Sequence, residues 1–321
     1  MSNPPLRTVS VVTPSYNQGA FIRETIESVL GQEGDFLLDY IVADGASTDG
    51  SVEVIRRYGA MVEEGKWPVR CGGIRYRWVS ERDRGQADAI AKGFRMAEGS
   101  ILAWLNSDDT YLPECVSRVV ARFDEEPDAQ VVYGKAHFTD EKGEVLGKYP
   151  TEPFDPGRLA AFNFICQPSV FFRRSAFEEA GGLDTNLRYV MDYDLWIRLA
   201  ARHRFAYLPE FLSTYRLHDV SKTMAAGYAA ANSEEALRTV LRHYGWAPAN
   251  RVYASCHNRL KSKSPPSLAR AGFLLIPLSV LVAFGRYLRL NRGIRREDLA
   301  MLRPKNIRKL FLEPIDLFRE Y

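Results

Sequence analysis

The sequence predicts an α/β fold with a mostly parallel sheet, followed by a mainly helical extension. Three observations carry this. Over the first hundred residues, short apolar runs alternate with segments of helical periodicity. Each of the four apolar runs ends in polar or turn-forming residues. After about Lys222 the alternation stops, and helix-compatible stretches with a basic charge balance take over.

The elements follow in order. Val9 to Thr13 is a β-branched run closed by Pro14 and reads as the first strand. Phe21, Ile22, Thr25, Ile26, Val29 and Leu30 recur at helical spacing. Leu38 to Ala43 is a second strand ending in Asp44-Gly45. Ser47-Thr48-Asp49-Gly50 supplies caps and turn residues ahead of Val52, Val54 and Ile55. Arg75 to Ser80 is a third, amphipathic strand, Ala87 to Ala97 a helix, and Ile101 to Leu105 a buried fourth strand. Val131-Val132-Tyr133 and Ser169 to Phe172 are later strands, and Leu195 to Ala201 is a helix. Beyond Lys222, Tyr228 to Tyr244 is a polar helix and Ser262 to Ser267 a Lys/Ser/Pro linker.

At 321 residues the chain allows one large domain with an extension, or two domains. Its net charge of +3 conceals an asymmetry. From Arg251 to Tyr321 there are 15 Lys/Arg and 5 Asp/Glu, so residues 1–250 are net acidic. A basic tail on an acidic body points to an anionic surface as partner. Within that tail, Ala271 to Gly285 is an apolar run of 15 residues containing Pro277. That is short for a spanning helix, which needs roughly 20. An interfacial segment fits better, with Arg286, Arg289, Arg292, Arg295 and Arg296 facing anionic head groups. The alternative is a buried helix of a C-terminal subdomain. The apolar run favours lipid over nucleic acid. The four cysteines are far apart and form no metal-ligand spacing, which suits free thiols in a reducing cytosol. Met1–Arg7 has no apolar core of signal-peptide length.

The chemistry concentrates in the four loops. They begin Pro14-Ser15-Tyr16-Asn17, Asp44-Gly45-Ala46-Ser47, Glu81-Arg82-Asp83-Arg84 and Asn106-Ser107-Asp108-Asp109. In an open α/β sheet, loops at the C-terminal strand ends meet at one crevice. Adjacent carboxylates after a buried strand suit a hard divalent cation carrying a phosphate, although Asp is also a common helix cap. Neither Gly-x-Gly-x-x-Gly nor a P-loop is present, which argues against a nicotinamide enzyme or a P-loop enzyme.

Together these loops resemble family 2 glycosyltransferases, whose fold is GT-A, a Rossmann-like, mostly parallel mixed sheet. The resemblance runs through Ser80-Glu81-x-Asp83-x-Gly85, Asp88-Ala89-x-x-Lys92-Gly93 and Gln167-Pro168-Ser169-Val170-Phe171-Phe172. It continues through Gly181-Gly182-Leu183-Asp184, Met191-Asp192-Tyr193-Asp194-Leu195-Trp196 and Arg216-x-His218-x-x-Ser221-Lys222-Thr223. It implies a catalytic domain over 1–223 and a helical basic region over 224–321. It also implies inverting transfer from a nucleotide diphosphate sugar, UDP-linked by family frequency, to a glycan or lipid-linked acceptor. Cell-surface polysaccharide synthesis at the inner face of the membrane is the expected setting, with peripheral contact through 271–296.

The resemblance also implies site residues. Pro14, Tyr16, Asn17 and Asp44 would hold base and ribose, joined by Asp83, Lys92, Asn106 and Ser107 in the nucleotide-sugar site. Asp108 and Asp109 would hold Mn²⁺ or Mg²⁺ on the diphosphate, with His218 as a further metal ligand. Asn106 departs from the family's frequent Asp, so either Asp108 or Asp109 is the direct ligand. Asp192 matches the family's base, with Asp194 as the alternative and a capping role as the plain structural reading. Arg216 and Lys222 are candidates for phosphate contact. The alternatives to a transferase are a sugar-phosphate nucleotidylyltransferase and an inactive membrane scaffold.

Overall fold

The structure is a computed structural model that describes residues 6–218, 227–265, 272–296 and 298. The expected domain boundary at 223/224, and Ser221, Lys222 and Thr223, lie outside these residues. The elements run β1 (Arg7–Ser15), α1 (Ile22–Leu30), β2 (Gly34–Asp44), α2 (Ser51–Glu63), β3 (Cys71–Ser80), α3 (Gln86–Met96), β4 (Ile101–Trp104), β5 (Thr110–Tyr111), α4 (Cys115–Glu125), β6 (Ala129–Thr139), β7 (Val145–Lys148) and α5 (Pro156–Leu159). A 3₁₀ turn, Gln167–Ser169, leads into β8 (Val170–Arg173). Then come α6 (Arg174–Glu179), α7 (Met191–Ala200), β9 (Arg204–Arg216), α8 (Tyr228–Tyr244), α9 (Ala249–Lys263) and α10 (Gly272–Asn291).

The chain divides into two compact units, Met1–Phe154 with Phe164–Arg216, and Asp155–Asn163 with Leu217–Tyr321. The first holds the sheet, ordered β3-β2-β1-β4-β8-β6-β9-β5, with β7 beside β6. β3, β2, β1 and β4 are mutually parallel, as alternating strands and helices require. β8 is antiparallel to both β4 and β6, which makes the sheet mixed. β9 was not legible in the sequence: its run Arg204–Arg216 is neither strictly alternating nor continuously apolar. It forms because β6 pairs with it in parallel along its length.

The register sets the edge that matters. Ser15 pairs with Asp44, Asp44 with Ser80, and Val12 with Trp104. Four strand ends therefore lie side by side, and the chain reverses direction across the sheet between β1 and β4, the switch point where open α/β sheets bind ligands. One face of the sheet buries Val9, Val11, Leu38, Tyr40 and Ala103 in the main apolar core. On the other face Trp104 stacks on Trp196 of α7 at 5.5 Å and meets Phe94 of α3 edge-on. α3 lies close because it presents Gly93 to Val12, where a Cβ would run into both Val12 methyl groups. The Lys92-Gly93 pair thus includes a packing requirement.

The second unit contains α5, α8, α9 and α10. Its core gathers Leu237, Ala247, Val252, Cys256, Ala283 and Tyr287. The apolar helix is longer than the sequence run, extending to Asn291 as 20 residues with Pro277 inside it.

Gly93→Ala should keep the fold but lower stability by about 1–3 kcal/mol, the usual cost of overpacking. A urea midpoint identical to wild type would show that the helix has room to move.

Candidate active site

Two of the four loops are stitched together by their own polar groups. Asn17 sits in the left-handed region at φ 51°. Its N–H donates to Ser47 Oγ at 2.8 Å, and its side-chain oxygen accepts from Thr48 N at 2.9 Å. Gln18 N donates to Ser51 Oγ, and Gly19 N to Asp49 Oδ2. Asp44 is buried, and its carboxylate accepts from Ser47 N, Ser47 Oγ and Ser80 Oγ. Loops one, two and three meet at Gly45: a Cβ there would lie 2.6 Å from Asp83 Oδ2 and 3.3 Å from the Tyr16 ring. Tyr16 is exposed over this point, while Pro14 is buried at the strand end. Lys92 reaches back from α3 to Glu81 at 2.9 Å.

The fourth loop is held by a relay of amides. Gln86 donates to Asn106 Oδ1 at 2.8 Å. Asn106 Nδ2 donates to Gln167 Oε1 at 3.1 Å and to Asp109 Oδ2 at 3.2 Å. Gln167 Nε2 donates to the Trp104 carbonyl at 2.7 Å, tying the relay to the end of β4. Ser107 is buried within the loop. Asn106 gives this network what an Asp would not: an N–H donor facing a carboxylate.

Asp109 points inward and is buried. Arg216 N donates to its Oδ1 at 3.0 Å, and Thr25 Oγ1 to its carbonyl at 2.8 Å. Burial and the neighbouring Asp108 charge push its carboxyl well above the usual range, against the pull of the Arg216 and Asn106 donors. Asp108 is partly exposed. Neither residue caps a helix, since the short strand β5 follows. The Arg216 guanidinium is almost wholly buried: it donates to the carbonyls of Asp108 and Glu141, pairs with Glu24 and lies over the Phe21 ring. These contacts lock the loop. His218 is buried just after β9.

Asp192 and Asp194 share the first turn of α7 and have separate environments. The N-cap of α7 is Val190, so Asp192 is not the cap. Asp194 is fully buried and receives Arg198 Nε at 2.8 Å. Asp192 is partly exposed. The Cys166 thiol is buried, and burial first, then the Asp109 and Asp192 charges, push its pKa upward. Gln86, Gln167, Cys166 and Glu24 are the site neighbours that sequence reasoning missed. Gln167 stood within a matched segment, while the others carried no signal of their own.

Residues 10–181 match the family model described as Glycosyl transferase family 2. The chain belongs to that family. Its curated relatives include an uncharacterized glycosyltransferase of Methanocaldococcus jannaschii, 26% identical over 65% of this chain and 70% of the relative. A PGL/p-HBAD biosynthesis glycosyltransferase of Mycobacterium bovis is 28% identical over 59% of this chain and 68% of its own. Among solved structures, S. aureus TarS 1-349 in complex with UDP-GlcNAc aligns at TM-score 0.58 and 15% identity, covering 88% of this chain and 81% of that one. The Pyrobaculum calidifontis mannosyltransferase PcManGT, in complex with GDP-Man and Mn²⁺, aligns at 0.55 and 16%, covering 88% and 87%. The fold is GT-A and the protein is a glycosyltransferase, which sets the nucleotidylyltransferase reading aside.

In this glycosyltransferase, Asn106→Asp would replace the donor facing Asp109 with a second carboxylate. It should lower stability at neutral pH by about 1–3 kcal/mol, the cost of leaving buried polar groups unpaired. Unchanged denaturation at pH 7 would remove the relay from the account.

Proposed function

We propose that this enzyme transfers a sugar, with inversion, from a UDP-sugar to a hydroxyl of a glycan or lipid-linked acceptor in cell-surface polysaccharide synthesis. The observation that carries the reading is the fourth loop at the end of β4, where partly exposed Asp108 adjoins the buried, hydrogen-bonded Asp109, next to the level ends of β1, β2 and β3. Tyr16, Asn17, Asp44, Asp83 and Lys92 line loops one to three and bind the nucleotide, with Pro14 setting the turn. Asn106 and Ser107 hold the fourth loop in place. The nucleotide sugars bound by TarS and PcManGT support this assignment.

Among the described residues no group of three or more His, Cys, Asp or Glu forms a metal cage. That suits a hard cation held by one or two carboxylates plus substrate phosphates. Asp108, partly exposed, is the direct ligand on this reading. Asp109 has both oxygens engaged and positions its neighbour. His218 is a further ligand candidate. The cation, when bound, neutralises charge building on the leaving diphosphate. Asp192 accepts the acceptor hydroxyl's proton as its oxygen bonds to the anomeric carbon. The bond to the diphosphate breaks, and its electron pair leaves with the diphosphate. On this reading the enzyme works at the inner face of the membrane through residues 271–296, and nucleic acid is not a partner.

EDTA should abolish donor turnover, Mn²⁺ or Mg²⁺ should restore it, and Asp108→Ala should lose it while staying folded. Full turnover in EDTA would end the metal assignment.

Asp192→Asn should lower kcat by about 10²–10⁴-fold, the usual range for general-base catalysis, with donor affinity unchanged. Asp194→Asn should instead cost stability, on the order of 3–5 kcal/mol, because it breaks a buried ion pair. A normal kcat for Asp192→Asn, with Asp194→Asn folded but inactive, would exchange their roles.

A further inference from the structure

The polarity of α10 runs opposite to that of an ordinary surface helix. Its inner face carries polar groups beside the buried Leu275, Ala283 and Tyr287. Arg286 donates to Ser255 Oγ at 2.9 Å and pairs with Glu234 of α8 at 3.1 Å, and Ser255 Oγ donates to the same carboxylate. His257 Nδ1 meets Ser279 Oγ at 3.0 Å. Asn291 exchanges two hydrogen bonds of 2.9 Å with the Ala247 backbone. Arg286 therefore points into the second unit, which corrects the expectation that it faces head groups.

From Leu274 to Phe284 the outer face is apolar, with exposed Arg289 one turn beyond. Leu274, Leu278, Val280, Leu281, Val282 and Phe284 are all exposed, Leu281 by 71%. At 3.6 residues per turn, Leu274, Leu278 and Leu281 fall on one line along the helix. A contiguous apolar surface of this kind marks an interaction site rather than ordinary surface.

Charge identifies the occupant. α9 and α10 contain no acidic residue. His257 and Ser255 of α9 meet Ser279 and Arg286 of α10, so the two helices run antiparallel. Exposed Arg259, Lys261 and Lys263 thus lie toward the start of α10, and exposed Arg289, Arg292, Arg295 and Arg296 toward its end. A second copy laid against this face, in either direction, would bring basic clusters together. An anionic bilayer offers hydrocarbon to the leucines and phosphate to both basic ends.

We propose that α10 docks flat in the head-group region of an anionic membrane, Leu274–Phe284 inserted, while the Glu234–Ser255–Arg286 latch keeps its other face on α8 and α9. By length and composition the helix would also suit a spanning segment. Spanning would require taking apart the latch and drawing Arg286 into hydrocarbon, where a cation is costly. The inference rests on the membrane contact proposed above and not on the donor site.

The test is co-sedimentation of the full chain with vesicles of phosphatidylcholine alone or mixed with phosphatidylglycerol. Binding should need the anionic lipid, fall as salt rises, and be released by an alkaline carbonate wash. Leu278→Glu/Leu281→Glu should weaken it by about tenfold or more, since burying each leucine is worth roughly that factor. Its thermal midpoint and donor hydrolysis should stay unchanged. Retention through the carbonate wash would establish spanning. A wild-type dimer in sedimentation velocity, made monomeric by the double substitution and indifferent to vesicles, would establish a second copy. Either result, or no binding to anionic vesicles, overturns the proposal.

Discussion

Two neighbouring carboxylates at the end of a buried strand repel each other, and the site rests on how that repulsion is contained. Asp109 is turned inward, where burial alone would make its charge costly. The compensation comes from the end of β9, through Arg216 N, and from the fourth loop, through Asn106. Arg216 adds its guanidinium to the Asp108 carbonyl and reaches Glu24 on α1. One residue thus joins the carboxylate loop, the last long strand and the first helix. With Asp109 held, Asp108 is left as the carboxylate turned toward solvent.

The parallel register makes this economical. Because β1, β2 and β3 end level with one another, short polar side chains suffice to join the loops above them. Ser47 and Ser80 both reach Asp44, and Asn17 bridges to Ser47 and Thr48. Most of these groups spend their hydrogen bonds on one another, which preorganises the crevice before any ligand arrives. At Gly45 a side chain would have to displace the Asp83 carboxylate.

The second unit applies the same logic with reversed polarity. Charged and hydroxyl side chains help join its helices, while Leu274, Leu278 and Leu281 of α10 are left outside. That arrangement stabilises the helix pair without apolar contact on the outer face, so the face stays available.

The sequence by itself determined the first four strands, the loops that end them, and the helix Tyr228–Tyr244, because each is written in local periodicity and turn chemistry. Its adjacent carboxylates after a buried strand singled out Asp108 and Asp109, while Asp192 stood out only through the family resemblance. Only the tertiary structure decided what long-range partners decide. β9 exists through its pairing with β6. Arg216 became a buried lock because Glu24, Phe21 and two carbonyls surround it. Asp194 became a buried ion-pair partner because Arg198, half-buried, lies one turn along the same helix. Arg286 turned inward because Glu234, fifty-two residues away in sequence, was there to receive it. Periodicity reports which face of a helix is apolar; it does not report which face finds a protein partner, since that depends on residues remote in the chain.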